Sequence, residues 1–310
     1  MLRVQKGASQ PDLHLEDIRD VSIPIFDKTF RNKLVELHKN AGGKFSWGVS
    51  CYKKAELLLL ETLEMANILP STEVINVKSF KDTFAATGRL DAEYYQPKYE
   101  DYQAHVLAYP HGWQPLMQVC NLKDSNFTPD DSISYKYIEL ADIDNSGGIT
   151  GYTEALGNEL PSRARRIVDV GDVLISSIEG SLSSCAIVPE KMNAALCSTG
   201  FYVINSGTIN SETLLVLFKS PLMQNLLKQG CSGTILTAIN KAEFQNIPVP
   251  MIEDGVQTKI AALVKESFLL KAESEHLLDI AKRAVEIAIE QDESVGLDFL
   301  HKMAPIGGCA

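Results

Sequence analysis

The sequence has no long hydrophobic run and no closely spaced pair of cysteines. The leucine run Leu57–Leu60 is too short to span a membrane and has charged neighbours, and the N-terminal residues lack the apolar stretch of a secretory signal. The six cysteines lie far apart, which favours small buried thiols over a disulfide framework or a zinc cluster. We therefore expect a cytoplasmic protein without membrane segments.

The motifs that commonly mark an enzyme are also missing. The sequence contains no G-x-G-x-x-G or Asn-Pro-Pro-Tyr element, no Walker loop, no H-E-x-x-H and no G-x-S-x-G turn. Pro129-Asp130-Asp131 lacks the downstream Glu-x-Lys with which a restriction nuclease binds metal ions, and the histidines show no ligand spacing with Cys or Asp. We expect no catalytic residue, metal site or bound cofactor in this chain.

Positive charge is scarce. The chain has 29 Lys and Arg against 40 Asp and Glu, a formal net charge of −11. Residues 108–250 have nine Lys and Arg against fourteen Asp and Glu, a net charge of about −5. This balance argues against a free-standing, tight DNA binder, because Lys and Arg supply most of the non-specific affinity for phosphate. Binding to DNA would require local base reading by a few loops and a basic partner that contacts the backbone.

An internal repeat organises the chain, at a shift of 226 positions and without a gap. Gly7–Gln10 recurs as Gly233–Leu236, and Val21–Ile25 recurs as Ile247–Met251. Each copy has a Gly-containing loop, a short polar helix start, an extended stretch with Ile-Pro or Val-Pro, and then a long helical pattern. The repeat predicts that the two copies share local structure.

The helical pattern is regular only in the second copy. There, apolar and small residues recur at steps of four and three from Val256 to Ala288, which predicts one long helix. In the first copy, Gly42-Gly43 and Gly48 each cost about 1 kcal/mol of helix stability relative to Ala, so we predict two shorter helices or a kink. The alternative is that both stretches are ordinary amphipathic core helices. The expected helix-interface residues are Leu34, Leu37, Ala55, Leu58, Ile260, Leu263, Leu270, Leu277, Ala281 and Ala284.

Between the two helical stretches, short apolar runs alternate with turn signals. Tyr135–Leu140, Arg166–Val168, Val170–Ser176 and Phe201–Ile204 have the composition of strands. The predicted fold class is α+β, with a β-rich domain flanked by long helical, coiled-coil-like arms.

Three motifs carry a resemblance to a known family. Arg89–Pro97 stands at the entrance of the β-rich domain, Gly171–Ser176 in its middle, and Gly233-Thr234 through Ile247–Pro250 at its exit. Their order and duplication resemble type I restriction-modification specificity subunits, over the chain from Gly7 to Ile289. Members of that family hold two target-recognition domains, each followed by a helical arm. The paired arms form a spacer on which two methyltransferase subunits dock.

The resemblance implies a division of this chain. We expect a remnant of a preceding recognition domain at 1–20, a first helical arm at 21–69, a linker at 70–95, the target-recognition domain at 96–250, a second arm at 251–292 and a tail at 293–310. The chain would then be either a half-sized subunit that pairs with itself or with a second half, or a fragment of a longer reading frame. The sequence leaves both open.

The function that the resemblance implies is non-catalytic. The chain would direct a methyltransferase and nuclease complex to a bipartite DNA target. Its partners would be double-stranded DNA, a methylation subunit, a restriction subunit and a second copy bound through the arms, with S-adenosylmethionine and ATP held by the partner subunits. The alternatives are a protein-interaction module that uses its arms and a divergent hydrolase.

The concentrated positive charge of the β-rich domain is the cluster Arg163, Arg165 and Arg166. An arginine can bind phosphate or pair with guanine through two hydrogen bonds. The alternative is a solvated surface cluster. The expected DNA-contacting residues are Arg163, Arg165, Arg166, Ser181, Ser183, Ser184, Lys191, Lys228 and Thr234.

Overall fold

The computed structural model describes residues 18–19, 21–73, 75–233 and 237–304. These residues form two compact units: the described parts of Met1–Ser46 and Leu270–Ala310 make one, and those of Trp47–Leu269 make the other. Within the described ranges, no helix is both long and apolar enough to cross a membrane.

The helices and strands of the described residues are as follows. The α-helices are α1 (Lys28–Thr62), α2 (Phe84–Thr87), α3 (Pro97–Leu107), α4 (Leu116–Val119), α5 (Ser211–Lys219), α6 (Pro221–Gln229), α7 (Lys241–Asn246), α8 (Asp254–Glu290) and α9 (Glu293–Met303). The strands are β1 (Trp113–Pro115), β2 (Asn121–Lys123), β3 (Ser134–Ile138), β4 (Thr153–Leu156), β5 (Ala164–Ile167), β6 (Val173–Ser176), β7 (Cys185–Ile187), β8 (Leu196–Ser198), β9 (Phe201–Asn205), β10 (Cys231–Ser232), β11 (Ala238–Ile239) and β12 (Pro248–Pro250).

In the first unit, the N-terminal part of α1 packs against the C-terminal part of α8 in the antiparallel sense. Ser274 Oγ donates to Ala41 O at 2.8 Å, and Lys44 Nζ lies 2.6 Å from Glu273 Oε2. Helix α9 closes this pair, with Leu300 fully buried. Five of the residues expected at a helix interface belong to this apolar cluster: Leu34, Leu37, Leu277, Ala281 and Ala284. Leu270, also of this unit, is half-buried.

The prediction of two shorter helices in the first copy is wrong, and its alternative, a kink, stays a prediction. Helix α1 runs without interruption for 35 residues through Gly42, Gly43 and Gly48. Ala41 and Cys51, on either side of the glycines, are 0% and 1% exposed. Packing of an amphipathic face supplies most of the stability of a helix in a protein, and here it outweighs the propensity cost of the glycines.

The second unit contains two four-stranded sheets. The strand order is β2-β9-β6-β7 in the first, which is antiparallel, and β4-β3-β8-β5 in the second, where β3 and β8 are parallel. Strand β6 is buried at every residue. Successive side chains point to opposite faces of a sheet, so both faces of β6 are covered. Leu174 packs in a cluster with Ile138 of β3 and Cys197 of β8, whereas Val173 and Ile175 pack on the other side.

Helices cover that other side of the first sheet. Helices α5 and α6 form the main core with the second-unit parts of α1 and α8. Four of the expected interface residues lie here: Ala55 and Ile260 are buried in this core, and Leu58 and Leu263 pack against it. In this unit the helical arms are therefore part of the core of the β-rich domain.

A two-stranded ribbon joins the entrance of the β-rich domain to its exit. Strand β1 pairs with β12, with Gln114 opposite Val249. Leu116 N donates to Ile247 O at 2.9 Å, and Met251 N donates to Gly112 O at 3.0 Å. The predicted fold class is confirmed: the fold is α+β, and the β-rich domain is flanked along the chain by long helices.

Candidate nucleic-acid interface

Strand β5 and the residue before it carry the three arginines that stand out in the sequence. It pairs with β8, and a bulge shifts the register between Ala164 and Arg166. A bulge re-aims the side chains around it. Arg163, just before the strand, is exposed, whereas Arg166 is half-buried; Arg165 Nε donates to Ser162 O at 3.1 Å. The three arginines therefore differ in their access to solvent.

The Arg166 guanidinium has buried donors. Its Nε and Nη1 find no hydrogen-bond partner among the residues that the structure describes. Its charge acts on Asp124, which Lys241 contacts directly; the hydrogen bond from Lys241, and with it the charge of Arg166, hold the pKa of Asp124 below its usual range. An unpaired buried donor is unfavourable by about 1–3 kcal/mol. Because Nε and Nη1 of Arg166 are closed to solvent, they do not reach a DNA acceptor in this conformation.

The serine run forms the turn between β6 and β7. Ser181 Oγ lies 3.0 Å from Ser176 Oγ, so its hydroxyl is used within the turn. Ser184 N donates to Ser181 O at 2.8 Å, and Ser184 is half-buried. Ser183 is exposed, and its carbonyl accepts from Lys219 Nζ at 2.7 Å. Of the three serines, Ser183 presents its side chain most openly to solvent.

Backbone hydrogen bonds bring this turn beside the start of β5. Ser177 N donates to Gly200 O at 2.9 Å, and Thr199 N donates to Arg163 O at 2.9 Å. Glu179 N donates to Thr237 O at 3.0 Å. We define Arg163 with residues 177–184, 198–200 and 237–239 as the rim. Residues from distant parts of the sequence thus meet at one edge of the domain. Thr234 lies outside the described residues.

Lys228 lies at the rim with its charge paired. Its Nζ is 3.7 Å from Glu179 Oε1 and 4.0 Å from Glu93 Oε1. Arg163, in contrast, forms no ion pair with any residue that the structure describes. Arg163 is therefore the more available of these two cations for a phosphate or a base.

Lys191 lies away from the rim. It belongs to the connection from β7 to β8, where Gly171 N donates to Val188 O and Ala194 N donates to Val168 O, both at 2.9 Å. These bonds place the connection where β6 begins, whereas the serine turn follows the end of β6. The structure brings Arg163, the serines and Lys228 together, and it leaves Lys191 at the opposite end of the strands.

The entrance motif Arg89–Pro97 is organised by a clamp around Arg89. Its guanidinium donates to both Asp91 carboxylate oxygens, at 2.8 and 2.6 Å, and to Cys231 O at 2.8 Å. It also lies over the Tyr94 ring, 4.2 Å from the centroid. The hydrogen bond from Arg89 lowers the pKa of Asp91. The clamp joins the motif to Cys231, three residues before Thr234. The sequence analysis did not predict this role of Arg89, although the spacing Arg-x-Asp is compatible with a local ion pair.

The Gly171-Asp172 motif serves the sheet. Asp172 is 2% exposed; it accepts from Lys123 Nζ at 2.5 Å and from Asn205 Nδ2 at 3.0 Å. Burial opposes the charge of Lys123, but hydrogen bonds to Asp169 and Asp172 outweigh it and raise the pKa of Lys123. This network joins β2 and β9 to the start of β6, at the end of the strands opposite the rim.

No metal centre is found in the described part of the chain, where no group of three or more His, Cys, Asp or Glu residues could hold an ion. The five cysteines within these ranges are buried and free, and burial raises the pKa of Cys185 and Cys197 to about 12. Cys309 lies outside the described residues. These thiols fill the core.

Comparison with solved structures finds specificity subunits. The chain is 26% identical to the HsdS subunit of Thermoanaerobacter tengcongensis over 65% of its own length and 51% of that chain, with a TM-score of 0.43. A second structure is entitled "Structural basis underlying complex assembly and conformational transition of the type I R-M system". The chain is 26% identical to it over 64% of its own length and 50% of that chain, with a TM-score of 0.43. The chain thus spans about half the length of these two proteins. The S subunit of M. genitalium is 12% identical over 99% of this chain and 69% of that one, with a TM-score of 0.39.

Among curated proteins, no significant match is found. The family profile described as "Type I restriction modification DNA specificity domain" matches residues 110–276, more than half of the chain. The matched range contains the described rim and the two sheets that position it. The chain belongs to the family of type I restriction modification DNA specificity domains.

Proposed function

We propose that this chain is the sequence-specific DNA-recognition subunit that directs a type I restriction-modification methyltransferase and nuclease complex to a bipartite target. The observation that carries the proposal is the rim, which gathers a free arginine and exposed hydroxyl side chains on one edge of a family-defining domain. Residues 96–250 are the recognition domain in this proposal, and the arms at 21–69 and 251–292 are the spacer.

Arg163 is the proposed base reader. An arginine donates two parallel hydrogen bonds to O6 and N7 of guanine in the major groove, and hydroxyl groups pair with several base edges. Thr199, whose N–H donates to Arg163 O, is exposed, and so is Ser183 of the serine turn. Removal of one bidentate contact costs about 1–3 kcal/mol of discrimination at a single base pair.

Because the domain is acidic, other subunits of the complex bind the phosphate backbone of the DNA. With nine Lys and Arg against fourteen Asp and Glu in residues 108–250, the domain has too little positive charge to neutralise many phosphates. A methylation subunit docked on the arms supplies that charge and holds S-adenosylmethionine, and a restriction subunit holds ATP. The chain itself is non-catalytic and acts in the cytoplasm.

One recognition domain reads one half of a split target. A rigid helical spacer sets the distance between two half-sites, and a two-fold homodimer through the arms supplies the second domain. A homodimer reads a symmetric split site, whereas pairing with a different half reads an asymmetric one.

The test is to purify the chain with the methylation subunit encoded beside it and to methylate a random DNA library. Sequencing of the modified sites is expected to give a split consensus, and Arg163→Ala is expected to relax one position in each half-site. The control is Lys81→Ala, an exposed lysine in the linker, which is expected to keep the consensus. A complex that forms but methylates without sequence preference would contradict the proposal.

A further inference from the structure

An apolar groove lies at the C-terminal end of α1, within the second unit. Its volume is about 670 Å³, inside the range of roughly 300–1,000 Å³ that is typical of ligand pockets. The apolar lining consists mainly of Leu57, Leu60, Met65, Ile68, Tyr102 and Pro221. None of these residues belongs to the rim.

The groove follows from the periodicity of α1. Leu57, Leu60 and Glu61 stand at i, i+3 and i+4, so they share one face of its last two turns. The neighbouring face is committed to the core, where Leu59 is 0% exposed. The same two turns therefore offer a second apolar face that the chain leaves open.

The opposite wall is held in place by hydrogen bonds. Glu64 adopts a left-handed conformation, with φ at 51°, and ends the helix, after which the 3-10 turn Met65–Asn67 brings the chain back along the groove. Ser71 N donates to Asp101 Oδ2 at 2.7 Å and anchors this wall to α3. The His105 ring nitrogen lies 2.6 Å from Leu63 O. The groove is thus preformed, which lowers the entropic cost of binding.

The charge at the groove has one sign. Glu61 and Glu64 are both exposed beside the apolar floor, and neither forms an ion pair with another described residue. Among the residues that the structure describes, no lysine or arginine lines the groove. Such a surface repels phosphate and attracts a cationic protein segment.

We propose that this groove docks a cationic amphipathic helix of a partner protein. Its apolar side chains would fill the space between Leu57 and Tyr102, and its lysines or arginines would face Glu61 and Glu64. An amphipathic helix presents its anchors at i, i+3 or i+4 and i+7 on one face, which is the form of ligand that an apolar groove accepts. Leu57 and Leu60 belong to the arm at 21–69, so the proposal rests on the docking of a partner protein there and specifies the chemistry of that partner. It uses no residue of the rim, so it holds or fails separately from base recognition.

The test uses the full chain and a fluorescein-labelled helical peptide of 14 residues made of Leu and Lys, with Leu at i, i+3, i+4 and i+7. Its counterpart has Glu in place of every Lys. Fluorescence anisotropy is expected to give at least tenfold tighter binding of the cationic peptide, and the difference is expected to shrink as salt is added. Equal binding of the two peptides would overturn the proposal.

Matched variants locate the binding. Leu57 and Leu69 are both exposed leucines, at 49% and 92%, but only Leu57 lines the groove. Leu57→Lys is expected to weaken the cationic peptide at least tenfold, and Leu69→Lys to change its affinity less than twofold. The double variant Glu61→Gln and Glu64→Gln is expected to weaken it three- to tenfold and to remove most of the salt dependence. An equal loss in the two leucine variants would assign the binding to general acidity and overturn the proposal.

A second copy of the chain is the rival occupant. Sedimentation of the chain alone, with and without Leu57→Lys, separates the two. If the wild-type chain forms a dimer that Leu57→Lys dissociates, the groove is a self-association site and the proposal is wrong. An oligomeric state that the substitution leaves unchanged supports a partner helix.

Discussion

The two copies of the repeat differ in what covers their extended segments. In the second copy, Val249 is 0% exposed, because β12 pairs with β1 and packs into the core. In the first copy, Ile23 and Ile25 are 79% and 89% exposed, and residues 21–27 form no strand. Ile23 and Val249 are equivalent positions at the shift of 226. Among the described residues, the pattern around Ile-Pro and Val-Pro therefore forms a strand in the second copy, where β1 pairs with it, and not in the first.

The copies also diverge after their long helices. Asp292 follows α8 and accepts from Ser294 N at 2.7 Å, which begins α9. The equivalent position in the first copy is Ala66, inside a 3-10 turn. A carboxylate can cap a helix N-terminus, and a methyl group cannot. Asp292 is thus followed by the helix α9, whereas Ala66, at the equivalent position, lies in the 3-10 turn that forms a wall of the groove.

The largest expected effect comes from placing the same charge at the two equivalent strand positions. Val249→Asp buries an unpaired carboxylate and is expected to lower the free energy of unfolding by about 3–5 kcal/mol. Ile23→Asp changes an exposed side chain and is expected to stay within about 0.5 kcal/mol of wild type. Urea denaturation followed by circular dichroism measures both. Similar losses in the two variants would mean that residue 23 is covered in solution.

Substitution of a glycine by alanine is expected to change the free energy of unfolding by an intermediate amount, with opposite signs in α1 and α9. An added Cβ at Gly42 would meet no heavy atom within 4 Å, whereas one at Gly296 would lie 2.9 Å from Ala284 O. Gly42→Ala is expected to stabilise the chain by about 0.5–1 kcal/mol through helix propensity. Gly296→Ala is expected to destabilise it by about 1–3 kcal/mol, because α9 must move away from α8.

Thermal unfolding of the two glycine variants measures the difference. The second copy has Phe268 at the position equivalent to Gly42, so the comparison asks whether the first helix loses stability there for lack of a side chain. Destabilisation by Gly42→Ala would mean that the space beside α1 is filled in solution.

The sequence was sufficient to predict the α+β class and the strands around Val173, because alternation and helical spacing are local. Both copies of the repeat contain a long helix, α1 and α8, whereas Gly7–Gln10 lies outside the described residues. The sequence did not predict the continuity of α1, since the burial that holds Gly42 and Gly43 in a helix comes from α8, more than 200 residues away.

The candidate site was predictable in part. The arginine cluster drew attention to β5, but adjacency in sequence could not tell that Arg163 is exposed while Arg166 has buried donors. Lys191 and Lys228 look alike in sequence, and only the strand topology places one at the rim and the other at the opposite end. Whether these residues contact DNA stays a prediction.

The smallest effect is a pH dependence confined to the second copy. Hydrogen bonds from the Ser294 hydroxyl and backbone lower the pKa of Asp292. A carboxyl group whose pKa is lower in the folded state stabilises the fold above its unfolded pKa of about 3.9, and it loses that contribution as the pH falls through the folded value. Asp292→Ala is therefore expected to lower the urea midpoint at pH 7, and the difference from wild type is expected to shrink below about pH 4.

Asp292→Asn keeps a capping oxygen without the charge, so its midpoint is expected to lie nearer to wild type at pH 7 and to lack this pH dependence. A difference between Asp292→Ala and wild type that is constant from pH 7 to pH 3 would show that the cap works without its charge, and the contrast with Ala66 would then be one of hydrogen bonding alone.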